Sequence, residues 1–194
     1  SRDFPRSTAP STFPGTVSER ILNRDLLPGN QCFGCGHENP HGLHIEVVDD
    51  GPRPESLAAR FRPPAHSSGF PGITHGGALF TAMDCLATWV VAAFGPRDER
   101  YWLLGSSDVS YRRPAAVGDS LRLAGWLVGG DAAEGDTLDV HVEIESSDGE
   151  LVAEGEFHEV GVSPEKFRHL SGVREIPQAW RNLFERPEEE TGGG

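Results

Sequence analysis

His75-Gly76-Gly77 is followed by a long apolar run, and one carboxylate, Asp84, stands inside that run nine residues after the histidine. If the run is a helix, the glycines lie at its N-terminus. Backbone N–H groups there are unpaired and carry about half a positive charge. Glycine lets a substrate approach the backbone closely, so the N–H of Gly76 or Gly77 suits an oxygen that gains negative charge during a reaction. An acid among apolar side chains keeps its proton to higher pH and becomes a better base near neutrality. The two groups are badly placed for one substrate, however. Asp84 lies eight residues beyond Gly76, ~12 Å along a helix rising about 1.5 Å per residue. A second copy with its helix antiparallel would set its own Asp84 opposite the first Gly76, which predicts a site shared across a two-fold dimer. Each residue also has a plainer reading. The glycines close a loop, His75 is a capping or core histidine sooner than a proton shuttle, and Asp84 is a structural acid paired with an arginine across an interface.

The elements that must hold these groups are legible from periodicity. Residues 1–29 are polar and Pro-rich, with one short helical candidate, VSERILNRDLL, and form an arm with little core of its own. LHIEVVD and SLAARFR alternate as strands, the second with Leu57, Ala59 and Phe61 on one face. PPAHSSGFPGIT reads as a loop before the helix. After the helix come YWLLGSSDVSYRR, DSLRLAGWLVG, DTLDVHVEIESS and GELVAEGEFHEVGV, four strands expected to form a meander, the last two joined through an Asp148-Gly149 turn. Leu138, Val140, Val142 and Ile144 face inward in the third. A helix apolar on nearly every side needs cover on nearly every side, which an antiparallel sheet wrapped around it provides, an α+β arrangement. The body spans 30–161. In the extension, 162–194, Phe167, Trp180, Leu183 and Phe184 are expected to dock, and the final RPEEETGGG is expected to be disordered.

HGGALFTAMD resembles the signature of the hotdog-fold acyl-CoA thioesterases, in particular the phenylacetate-degradation type. CFGCGHENPHGLHIEV, VSYRRPAAVGDSLRLAGWLV and DGELVAEGEFHEV are similar to flanking segments of that family, and the likeness covers about 30–160. It implies a hotdog fold and hydrolysis of an acyl-CoA thioester without a cofactor. It also implies Gly76 as oxyanion donor, Asp84 of the partner chain as base or nucleophile, and dimers that pair further into tetramers. The family often carries Asn or Gln six residues before the histidine; here that position is Gly69, with His66, Ser67 and Ser68 as stand-ins. A serine or threonine on the strand after the helix assists in some members, a place held here by Ser106 or Ser107. The alternatives are a hotdog protein that binds or senses an acyl thioester without turnover and, less fitting with Asp84 so deep in the helix, hydration of enoyl thioesters.

Composition narrows the partners. The formal net charge of −13 argues against a nucleic-acid-binding body, which needs a basic face. Arg112 and Arg113 at a strand end are the favoured contacts for the phosphates of coenzyme A, with Arg60 and Arg62 as second candidates. The plain reading of all four is solvated edge charge. Phe80, Met83 and Trp89 hint at an apolar acyl pocket. The apolar run Ala78–Phe94 sits at the short limit for crossing a membrane, and Asp84 opposes insertion by roughly 2.5–3.5 kcal/mol, so no membrane partner is expected. Three cysteines make a poor disulfide framework and the N-terminal residues show no signal-peptide core, so a cytoplasmic location is expected. Cys32-x-x-Cys35, with His37, His41 and His44 nearby, has zinc-like spacing but lacks a second pair in sequence. It reads as a turn with small buried thiols, no metal is expected, and Cys85 reads as inert.

Overall fold

The computed structural model describes residues 20–96, 98–129 and 136–184. The expected disordered end at 186–194 lies outside them. Among the described residues, eight strands, four α-helices and one short 3-10 turn follow in order. A short α1 (Leu22–Asp25) precedes β1 (Glu46–Val48) and β2 (Ser56–Phe61). The segment read as a loop contains a small hairpin, β3 (Ser68–Phe70) and β4 (Ile73–Thr74), immediately before α2 (Gly76–Phe94). Then come β5 (Tyr101–Tyr111), β6 (Leu121–Gly129), β7 (Thr137–Glu145) and β8 (Leu151–Val162), followed by α3 (Pro164–Ser171) and α4 (Gln178–Phe184).

Six strands form one antiparallel sheet in the order β1-β2-β6-β7-β8-β5, and α2 packs across it. Ala82, Met83, Leu86, Ala87 and Val90 of α2 have no exposed surface, and Val140, Val142 and Ile144 of β7 meet them from the sheet. By length and composition α2 is apolar enough to cross a membrane; here the sheet covers it. The wrapped α+β arrangement is the one its pattern demanded.

The strand order corrects the expected four-strand meander. Only β6, β7 and β8 follow one another as neighbours, whereas β5 pairs with β8 at the edge of the sheet. Residues 112–120 are too long for a tight hairpin, and they are held elsewhere. Thr74 N–H donates to the Ala115 carbonyl, Val117 N–H to that of Gly72, and Gly118 N–H to that of Pro63. The connection thus runs beneath the hairpin before α2 and braces it, so β6 settles beside β2 and β5 is left at the far edge.

Both ends dock. Leu22 and Leu27 are buried, and the side chain of Asn23 bonds the Cys35 and Ile45 carbonyls and the Val47 N–H. Phe167 and Phe184 pack on Tyr101 at the start of β5, at 4.9 and 5.5 Å between ring centroids, and Leu183 is buried beside them.

Candidate functional site

The N-terminus of α2 is capped by His75. Its ring Nδ1 accepts the Gly77 N–H at 2.8 Å, which places the ring proton on Nε2. Of the two glycines weighed as oxyanion donors, Gly77 is therefore engaged and Gly76 is not. The Gly76 N–H has no acceptor among the described residues. Its carbonyl accepts the Tyr111 hydroxyl at 3.0 Å, and a Cβ on Gly76 would stand 3.5 Å from the Tyr111 ring. In the sequence Tyr111 is only the tyrosine of a Tyr-x-x-Pro pattern ending at Pro114, with no role of its own. Only the β5–β8 register, which sets it opposite Ala153, carries it over the helix start.

The same register separates the two serines. Ser107 pairs with the fully buried Phe157 and shares its face toward α2, whereas Ser106 pairs with His158 on the outer face. The hydroxyls of Ser67 and Ser68 donate to the carbonyls of Pro64 and Phe70 within their own turns. Gly69 is pressed against His75: a Cβ there would lie 3.0 Å from the His75 Cα and Cδ2. A side chain at 69 thus competes with the cap itself, which gives the glycine a physical reason.

Asp84 is half-buried on α2, and its carboxylate makes no hydrogen bond or ion pair among the described residues. Burial, followed by the nearby Cys32 sulfur, pushes it up to about 6. A second carboxyl escaped the sequence reading. Glu159 of β8 has no exposed surface and neither oxygen has a hydrogen-bond partner. Burial, followed by the charge of Asp84, pushes it up to about 8. Alternation could have found it, since Glu159 falls in phase with Ala153 and Phe157 on the inward face. At neutral pH Asp84 is ionised and Glu159 protonated, two acids whose surroundings set them apart.

Arg112 and Arg113 stand at the end of β5 and are ion-paired, Arg112 with Glu154 at 2.7 Å and Arg113 with Glu150. Arg62 donates to the Gly118 carbonyl. Of the apolar residues proposed to line an acyl pocket, Met83 is sealed in the core and Phe80 packs on Phe157. Trp89 borders a cavity of about 500 Å³ toward the C-terminal end of α2, together with Leu22, Phe94 and Leu183. That cavity touches neither Gly76 nor Asp84. The three cysteines converge: Cys85, on α2, brings its Sγ to 3.8 Å from that of Cys32.

The thioesterase superfamily model matches residues 71–153, from the turn before α2 into β8. No curated protein matches the chain. Among solved structures, a thioesterase superfamily protein is 22% identical with a TM-score of 0.57, covering 74% of this chain and 68% of its own. A hypothetical thioesterase from Streptococcus pneumoniae, solved with coenzyme A, is 21% identical with a TM-score of 0.53, covering 61% and 89%. The PaaI protein of the Escherichia coli phenylacetic acid degradation operon is 16% identical with a TM-score of 0.53, covering 62% and 81%. These likenesses show the fold, which is the hotdog fold.

Proposed function

We propose that the protein hydrolyses an acyl-CoA thioester to the free acid and coenzyme A, at a site completed by a second copy of the chain. One observation carries this reading. The same helix bears an unpartnered N–H at its start, on Gly76, and an unpartnered, half-buried carboxylate eight residues on, at Asp84. The first suits the oxyanion that forms when a thioester carbonyl is attacked, and the second suits the base or nucleophile. Their ~12 Å separation along one helix divides the two roles between copies. The match of residues 71–153 to the thioesterase superfamily and the fold shared with a coenzyme A-bound protein support the substrate class. Among the described residues no strand lies beside the outer edge of β5, so two copies can meet there with their helices antiparallel. Ser107 and Tyr111 would then face the acyl thioester beside Gly76, with His75 holding the helix start. Arg112 and Arg113, both about half exposed, would take the phosphates of coenzyme A in exchange for Glu154 and Glu150.

A panel of short, long and aromatic acyl-CoA esters, followed by free-thiol release, tests the proposal. Turnover of at least one ester is expected, with loss of activity in Asp84→Asn while the protein still folds. Full turnover in that variant would sink the assignment of Asp84. Tight binding without turnover across the panel would instead identify a protein that binds or senses the thioester.

A further inference from the structure

The sequence supplies a Cys-x-x-Cys pair and, fifty residues later, a third cysteine inside the central helix. The fold joins them. The Sγ atoms of Cys32, Cys35 and Cys85 all lie within 4.8 Å of one another, with Cys35 and Cys85 buried and Cys32 half-buried. The turn carrying the pair is built as a rigid loop. Gly36 N–H donates to the Cys32 carbonyl. The buried Asn30 accepts the Cys32 N–H through its side-chain oxygen and reaches the Cys35 carbonyl and sulfur through its nitrogen. Asn23 holds the Cys35 carbonyl from the other side at 2.6 Å. Gly34 lies so close to Cys85 that a Cβ there would overlap the sulfur.

We propose that Cys32, Cys35 and Cys85 form a thiolate site for a zinc ion that ties the segment before β1 to α2. Zinc prefers tetrahedral thiolate ligands at ~2.3 Å, which sets neighbouring sulfurs ~3.8 Å apart along the tetrahedron edge. The Cys32–Cys85 pair has that spacing already, at 3.8 Å. Two buried asparagines fix the loop, so the ligands are positioned before the ion arrives. No histidine or carboxylate among the described residues joins the three sulfurs within 4.8 Å. The fourth position therefore falls to a water, reached past the half-buried Cys32. Binding releases the thiol protons to solvent as the zinc–sulfur bonds form, and it stabilises the fold because the unfolded chain has no such site. The other grouping of possible ligands, His141, Glu143 and Glu154 on the outer sheet face, is less apt: both ring nitrogens of His141 are already engaged, by Glu156 at 2.6 Å and Glu143 at 3.3 Å.

The full chain, reduced and stripped with a chelator, is titrated with Co²⁺ as the spectroscopic probe. One equivalent is expected to give a thiolate-to-cobalt charge-transfer band with tetrahedral d–d absorption. Zn²⁺ should bleach it, and Zn²⁺ should raise the thermal midpoint. Cys85→Ala should weaken Co²⁺ binding at least tenfold and remove the zinc effect on the midpoint, while His41→Ala changes neither. Cys32→Ser, at the half-buried position, gives the same readout if Cys85→Ala does not fold. No saturable band in the reduced protein overturns the proposal, as does wild-type binding in both cysteine variants. A Cys32–Cys85 disulfide in the isolated protein, with no Co²⁺ uptake after reduction, also overturns it and makes the cluster a redox pair.

Discussion

Asp84 and Glu159 both sit where ionisation weakens the fold. Glu159 has a folded-state pKa of about 8 against 4.5 for an ordinary glutamate, so the folded chain holds its proton where the unfolded chain has lost it. Stability from this group is full below about 4.5 and declines as pH rises toward about 8. Glu159→Gln keeps the shape without the charge. It is expected to raise the free energy of unfolding at pH 8, by on the order of a few kcal/mol, and to flatten the pH dependence across that window, as read from urea melts at several pH values. Asp84 follows the same sign with a lower ceiling, near 6. Asp84→Asn should therefore gain stability at neutral pH while losing turnover, a pairing that mere structural damage does not produce. As a base, Asp84 works only when ionised. In the wild type kcat/KM is expected to fall tenfold per pH unit below about 6. A flat profile down to pH 5 would remove Asp84 from the base role. The sequence showed that Asp84 is buried in type, because its neighbours on the helix are apolar. It did not expose Glu159, because an acid between His158 and Val160 reads as one more polar residue unless the strand phase is carried through to its end.

Among the elements, the start of α2 matters most. Its cap consumes one N–H and leaves the adjacent one open, an outcome set by the His75 rotamer and the closeness of Gly69. Gly76→Ala meets Tyr111 at an ordinary contact distance, 3.5 Å, so the variant should fold with little change in midpoint. Its methyl occupies the approach to the free N–H, and kcat is expected to drop by about 10²–10³, the scale of losing one oxyanion contact. His75→Ala should instead cost about 1 kcal/mol of stability through the lost cap, measurable by thermal melts. The helix, the inward faces of β2 and β7, and the turn at Gly149 were legible in the sequence, because each rests on local periodicity or turn chemistry. The place of β5 was not. Pairing order is a property of the whole sheet, and nothing within YWLLGSSDVSYRR says that its partner is the last strand. With β5 misplaced, the role of Tyr111 was invisible and Ser106 and Ser107 were indistinguishable. The convergence of Cys85 on Cys32 and Cys35 was hidden in the same way, since it depends on how the segment before β1 lies against the helix.

At the scale of the whole molecule, the proposed division of labour between copies has a direct test. Asp84→Asn and Gly76→Val should each be inactive alone. In a mixed dimer one site collects both lesions and the other collects none. After unfolding and refolding an equal mixture, half the dimers are mixed, and about a quarter of wild-type activity should return. No recovery, with mixed dimers verified by mass, would place Gly76 and Asp84 in the same site or outside any site. The extensions belong to this scale too. Tyr101 at the head of β5 is clamped by Phe167 and Phe184, so the C-terminal helices steady the strand whose other end carries Tyr111 and the site.

The late pairing of β5 also bears on the birth of the chain. When β5 leaves the ribosome, β8 has yet to be made, and about forty residues must follow before β5 gains β8 as its partner in this sheet. During that interval it is a bare edge, the form of a strand most prone to sticking to other chains. The middle of β5 reads Gly105-Ser106-Ser107-Asp108, small and polar where a central strand would be branched and apolar. Such a stretch resists premature association while it waits. The small, polar middle of β5 thus lets the nascent chain reach its last strand without aggregating.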